Sequence, residues 1–314
     1  KVLLDWYSGL PPYTVTPLEG IINKVVPGVA VNFVTNNDNG AAVKLAKSSD
    51  VAIVCVGNHP TGDVTNWGKV ALPSYGREAV DRQSITLEDE ELIKQVFRAN
   101  PKTIVVLISS FPYAINWTQK HVPAIVHVTH CSEEEGNALA DVLFGDYNPA
   151  GRLVETWPKS LDQLPPMMDY NIRDGRTYMY FKGKPLYPFG YGLSYTAFEY
   201  SNLKTSSPAL SRDGAVTVSV DVKNTGARAG DEVVQLYVKH LKSIVSRPIE
   251  ELKGFKRVRL QPGEQKTVEI PLPAESLAYW NTAKHAFEVE PDKVRIMVGG
   301  SSADIRLRKT IDVN

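Results

Sequence analysis

The sequence predicts two domains of different class: a doubly wound α/β sandwich, with a mostly parallel sheet and helices on both faces, and an all-β sandwich after it. Two textures carry this. Over residues 1–158, short apolar runs alternate with amphipathic stretches. That alternation of strand and helix builds a parallel sheet covered on both faces. Over residues 197–314, apolar residues recur at every second position in short runs separated by turn signals. That is the period of antiparallel strands with one buried face. The stretch 159–196 is rich in Pro, Tyr and Gly and reads as a linker that packs on both domains.

In the first domain, VAVNFV (29–34), VAIVCVG (51–57), TIVVLIS (103–109) and AIVHVT (124–129) read as strands. The last three are almost wholly apolar, as strands buried on both faces must be. A helix over 39–47 places Ala42, Val43 and Ala46 inward. A second, over 86–98, carries Leu87, Leu92, Ile93 and Val96, with acidic residues in its first turn, where the helix dipole favours them. A third, over 132–144, opens on Ser-Glu-Glu-Glu, the pattern of a capping box. In the second domain, AVTVSVDVKN (215–224), EVVQLYVKH (232–240), FKRVRL (255–260), KTVEIPL (266–272) and VRIMVGG (294–300) alternate apolar and polar residues, with NTGARAGD and LQPGEQ as turns. Short strands at that spacing predict a sandwich of the fibronectin type III or immunoglobulin kind.

Composition narrows the function. The 314 residues are 43% hydrophobic and 22% charged, with 35 basic residues against 35 acidic ones. A nucleic-acid binder would show a basic excess, so that class is set aside. No apolar run approaches the ~20 residues of a membrane helix. Cys55 and Cys131 each end an apolar run and lack CxxC spacing. They read as small buried hydrophobes, with neither a disulfide nor a metal expected. The first six residues lack a polar lead-in and read as the interior of a longer chain.

One loop is too long. After the 51–57 strand, residues 58–85 pass before the next helix. Connections in α/β units usually run ~2–6 residues, and structureless loops beyond ~12–15 are usually functional or disordered. This one holds Trp67, Leu72 and Tyr75, which argues against disorder. It also leaves the carboxyl end of a strand, where open α/β sheets bind ligands. Dinucleotide, P-loop, nucleophile-elbow and HExxH motifs are absent. His59, His121, His127 and His130 are scattered over strand ends and read as structural histidines rather than ligands. Carboxylates and aromatic residues in one loop suit sugar chemistry: rings stack on pyranose faces, and a carboxylic acid protonates a glycosidic oxygen.

Several longer motifs then become recognisable. WYSGLPPYTVTPLEGI (6–21), GREAVDR (76–82), EEEGNALADVLFGDYNPAGRLVETWP (133–158) and GRTYMYFKGKPLYPFGYGLSYTAFEY (175–200) occur in order. The sequence resembles the C-terminal half of glycoside hydrolase family 3, the β-glucosidases and β-xylosidases. The resemblance implies that Glu78 is the general acid/base, although Ala79 stands where the family has glycine. An ion pair of Glu78 with Arg77 or Arg82 is the plain structural reading. Asp81 and Arg82 are expected to shape the loop. Asn58, His59 and Trp67 are candidates for an outer sugar subsite, and Trp67 fits core packing equally well. Glu133, Glu134 and Glu135 form a rival acid cluster that the capping box explains. Tyr187 and Tyr195, with Gly190 and Gly192 between them, read as a packed corner.

The resemblance implies a retaining exo-β-glycosidase that releases terminal glucose or xylose from a β-linked oligosaccharide or glycoside. Its partner is a (β/α)8 barrel, domain or chain, that supplies the nucleophilic Asp, and no cofactor is needed. The competing reading is a non-catalytic carbohydrate-binding or scaffold module. Location leans to secreted or periplasmic, and homo-oligomerisation is left open.

Overall fold

The computed structural model describes residues 11–58, 84–131 and 133–314. The chain divides into two compact units, Lys1–Tyr147 with Pro158–Gln163, and Asn148–Trp157 with Leu164–Asn314. No described helix is long and apolar enough to cross a membrane.

The first unit is built on three parallel strands, β1 (Ala52–Gly57), β2 (Thr103–Ile108) and β3 (Ala124–Val128), in the order β1-β2-β3. The central strand is the most apolar and the most buried, with Val105, Val106, Leu107 and Ile108 almost wholly enclosed. The helices are α1 (Pro17–Lys24), α2 (Ala41–Lys47), α3 (Glu90–Ala99), α4 (Asn116–His121) and α5 (Glu135–Phe144). Local chemistry sets their ends. The Thr16 hydroxyl accepts from the Glu19 amide, and the Glu19 carboxylate accepts from the Thr16 amide. This capping box, with Pro17 at the first helical position, starts α1. Gly145, at φ +82°, ends α5. Asn100 donates from Nδ2 to the carbonyl oxygens of Ala46 and Ser49, satisfying the open C-terminal end of α2. Helices α1 and α5 meet backbone to backbone, because a Cβ on Gly20 would lie 2.0 Å from the Gly136 oxygen.

Several expectations for this unit need correction. Residues 29–34 form no strand, and Val29 and Phe33 are 52% and 59% exposed. Helix α3 begins at Glu90, four residues later than its periodicity suggests, because 84–89 is extended and then turns. Helix α5 begins at Glu135, and its N-cap Glu134 makes no side-chain cap bond. Ser132, the expected cap, lies outside the described residues. Cys55 and Cys131 are free thiols, as expected, but both are exposed and not buried. The Cys55 face of β1 is only partly covered.

The second unit is all β. Its strands are β4 (Phe198–Thr205), β5 (Ala209–Leu210), β6 (Ala215–Asn224), β7 (Gly230–His240), β8 (Glu251–Leu260), β9 (Gln265–Pro273), β10 (Tyr279–Asn281), β11 (Ala286–Glu288), β12 (Asp292–Ser301) and β13 (Asp304–Val313). They form sheets in the orders β4-β6-β9 and β5-β13-β12-β7-β8, with β10 and β11 as a separate hairpin. The period-two pattern does what it implies. Val216, Val218, Val220 and Val222 of β6 enter one core with Val234, Leu236 and Val238 of β7 and Ile296 and Val298 of β12. Each such side chain, fully buried, contributes about 1.5–3 kcal/mol before chain entropy is counted.

Residues preceding the strands are part of this unit. Arg152 pairs with Glu232 at 2.9 Å, and the Tyr200 hydroxyl donates to the other Glu232 oxygen at 2.6 Å. Burial raises the Glu232 pKa against the opposing pull of Tyr200 and Arg152. Trp157 bridges to Tyr187, which stacks on Tyr191. Gly190, at φ +81°, is packed so closely that a Cβ would meet Gln235 Oε1 at 2.1 Å.

Candidate functional site at the carboxyl edge of the parallel sheet

Parallel strands end together, so the residues just after them converge on one edge. Here those residues are Asn58 after β1, Ser109 and Ser110 after β2, and Thr129, His130 and Cys131 after β3. Gly57 opens the edge. Its φ is +150°, and a Cβ there would lie 1.7 Å from the Ile108 carbonyl oxygen, so only glycine fits. That same oxygen accepts from the Asn58 amide at 3.1 Å.

Asn58 is 2% exposed. Its Oδ1 accepts from the Ser110 amide at 3.2 Å, and its carbonyl oxygen accepts from His130 Nε2 at 2.7 Å. The carbonyl can only accept, so the Nε2 of His130 carries a proton. Nδ1 of the same ring meets the Ser110 hydroxyl at 2.8 Å. Among the described residues, the buried Asn58 Nδ2 has no hydrogen-bond partner. Such a donor costs about 1–3 kcal/mol to leave unsatisfied, so this edge holds an amide ready for an acceptor.

Two further groups border it. His127 Nε2 meets the Ser109 hydroxyl at 3.1 Å. Burial lowers the His127 pKa; Ser109 opposes this and the charge of His130 adds to it. Glu135 is 2% exposed. One of its oxygens accepts from the Cys131 amide at 3.0 Å, and the other is buried with no partner among the described residues. Burial raises its pKa against the Cys131 bond. The edge therefore combines an unsatisfied amide donor, two imidazoles and a carboxyl group biased toward its protonated form.

A metal-like group lies in the second unit, where His240, Glu290 and Asp292 approach one another. Its oxygens are already engaged. Asp292 accepts from His240 Nδ1 at 2.6 Å and from the Lys242 and Lys293 amides. Glu290 accepts from Arg247, from Ser243 and from the Ile244 amide. Arg247 already supplies the positive charge, so the cluster is a clamp on the 242–247 turn and a poor cation cage.

Comparison with known proteins identifies the framework. Residues 1–195 match the model of the glycosyl hydrolase family 3 C-terminal domain, and 232–302 match a fibronectin type III-like domain. The chain belongs to glycoside hydrolase family 3. It is 40% identical over 288 residues to a thermostable beta-glucosidase B of Acetivibrio thermocellus, matching 87% of this chain and 36% of that protein. It is 36% identical over 313 residues to a beta-xylosidase of Formosa agariphila, matching 96% of this chain and 42% of that one. A crystal structure of a beta-D-glucoside glucohydrolase from Trichoderma reesei superposes with a TM-score of 0.87 at 31% identity, covering 100% of this chain and 47% of the other. The chain thus spans between a third and a half of these family 3 relatives.

Among the site residues expected from sequence, Asn58 is at the described edge. His59, Trp67, Glu78, Asp81 and Arg82 lie outside the described residues. His130, Ser110 and Glu135 had not been singled out as site residues. The position of His130 and Ser110 directly after parallel strands was the available signal. Glu135 was absorbed into a capping pattern, and only its burial sets it apart.

Proposed function

We propose that this chain is part of a retaining exo-β-glycosidase that releases a terminal glucose or xylose. In this reading Glu78 protonates the glycosidic oxygen while an Asp on a separate (β/α)8 barrel attacks the anomeric carbon. The C–O bond breaks, the leaving group departs as an alcohol, and a glycosyl-enzyme ester forms. Glu78 then takes a proton from water, which cleaves the ester and restores both carboxyl groups. The α/β domain, residues 1–158, carries the acid/base loop, and a linker over 159–196 leads to the β-sandwich, residues 197–314. Family membership makes the reaction class the natural one, with β-glucosidases and β-xylosidases among the relatives. The observation that supports the reading is the buried Asn58 Nδ2, which has no acceptor among the described residues, at the root of the loop that leads to Glu78. A sugar hydroxyl is the kind of acceptor it would take.

The test is Glu78→Ala in the complete enzyme. Glycosides with poor leaving groups should lose ~10²–10⁴-fold in rate, the usual worth of general acid catalysis. Activated aryl glycosides should lose far less, and azide should restore turnover by replacing the activated water. Equal loss for both substrates without rescue would remove Glu78 from the role. The purified 314-residue chain alone should not turn over a nitrophenyl glucoside or xyloside, since in this reading the nucleophile belongs to the barrel.

A further inference from the structure

The hairpin of β10 and β11 belongs to neither sheet of the second unit. A two-stranded hairpin is marginal by itself, so its neighbours must hold it. Its register pairs Tyr279 with Glu288, Trp280 with Phe287 and Asn281 with Ala286. Opposed residues share a face and successive ones alternate, so the hairpin has two faces of different character.

One face is anchored. The Arg247 guanidinium lies 4.9 Å from the centre of the Tyr279 ring, a cation–π contact. Arg247 is itself fixed by Glu290 at 2.8 Å, and both side chains are almost fully buried. Asn281 closes this face. Its Nδ2 donates to Glu288 at 2.7 Å, and its Oδ1 accepts from the Ala283 and Lys284 amides of the turn. The clamp on the 242–247 turn therefore also holds the hairpin.

The other face is open. Trp280 is 49% exposed and Phe287 74%. Their rings meet edge to face, with centroids 5.2 Å apart and planes at 73°, and form a corner. Single exposed apolar side chains are ordinary. A cross-strand aromatic pair on an anchored hairpin is a preformed apolar surface. The corner's own side chains are uncharged, and the hairpin's Lys284 and Glu288 neutralise each other at 2.7 Å. An uncharged surface suits an uncharged occupant. Size narrows the choice further. At ~150–250 Å² per ring, the exposed portions come to roughly 200–300 Å². Each partner in a stable protein interface buries ~800 Å². The corner is too small to pair two copies of this chain and is on the scale of a sugar ring.

We propose that the Trp280–Phe287 corner is a sugar-binding site that takes a β-linked glucan or xylan chain. β-Linked glucose and xylose units have equatorial hydroxyls and present flat faces of C–H groups, which stack on an aromatic ring while the hydroxyls stay in water. Among the described residues, neither strand places a carboxyl group on this face, so the corner holds sugar without cleaving it. The site itself rests on the hairpin, and the choice of β-linked chains rests on the glycosidase reading. Its test measures binding and no turnover, so its failure leaves that reading standing.

The experiment is calorimetric titration of the 314-residue chain with cellohexaose, xylohexaose and the α-linked maltohexaose. At least one β-linked hexamer should bind with a Kd of ~0.1–1 mM, as a shallow site allows. Maltohexaose should bind at least ~10-fold more weakly. Trp280→Ala and Phe287→Ala should each weaken the β-linked hexamer at least ~10-fold. Trp280→Tyr keeps a ring and should stay within ~3-fold of the parent, which separates lost stacking from lost folding. Unchanged binding in both alanine variants would overturn the proposal, as would no binding of either β-linked hexamer or equal affinity for maltohexaose. A parent chain that sediments as a dimer, and as a monomer once both rings are removed, would make the corner a contact between copies and overturn it too.

Discussion

His130 donates from Nε2 to the carbonyl oxygen of Asn58 at 2.7 Å, so the end of β3 is tied to the end of β1 across the central strand. The loop toward Glu78 starts from a residue held on three sides, by Ile108, Ser110 and His130.

Replacing His130 by Ala removes the bonds to Asn58 and to Ser110. Stability should fall by about 1–2 kcal/mol, the net worth of two hydrogen bonds of this kind. His130→Gln keeps a donor and should recover part of that. Urea unfolding of the three proteins checks it; identical midpoints would show that the tie has no weight.

Gly57→Ala should be far more damaging. The new Cβ would stand 1.7 Å from a backbone oxygen that already accepts the Asn58 amide, at a φ that side chains rarely adopt. A loss of about 3 kcal/mol or more is expected, or failure to fold, since a backbone group cannot yield as a side chain can. Soluble yield and melting temperature read this directly.

Glu135 should make stability depend on pH in an unusual direction for a carboxyl group. Its folded pKa is raised by burial, so the folded state holds the proton more tightly than the unfolded state. Stability from this group is fully present below the unfolded pKa and is lost as pH rises through the folded value. Glu135→Gln, which cannot ionise, should flatten the profile above the ordinary glutamate range. Urea midpoints across those pH values compare the two; parallel profiles would count against the assignment.

The Arg152–Glu232 pair should show strong coupling. Both side chains are nearly enclosed, and Arg152→Ala would leave Glu232 charged and buried with Tyr200 as its remaining close donor. The single change should cost about 3–5 kcal/mol, whereas Arg152→Met with Glu232→Gln should cost much less, because no lone charge is stranded. A double-mutant cycle measures the difference.

The β-sandwich was legible because its strands alternate faithfully: β6 runs from Ala215 to Asn224 and fills the core with every second residue, as its sequence states. The buried strands of the α/β unit were equally clear. Residues 29–34 misled because a hydrophobic pattern records which face a strand would bury but not whether a neighbour is present to bond it. The exposure of Cys55 has the same origin, since periodicity cannot report the completeness of a sheet. The edge site was legible at Asn58 through loop length and topology. Glu135 was not, because a glutamate that begins a helix looks the same in sequence whether it faces solvent or lies buried against the Cys131 amide.

The chain enters the second unit at Asn148, leaves it after Trp157, and returns at Leu164. No single cut can therefore part the units cleanly. A fragment beginning with the strands would leave behind Arg152, the partner of Glu232, and the paired Trp157 and Tyr187. The β-sandwich is thus not a bead on a string that could be shuffled between proteins or shed by one proteolytic nick. Any recombination that transplants it must carry residues 148–157 along, and protein engineers who draw the boundary at the first strand should obtain an insoluble piece.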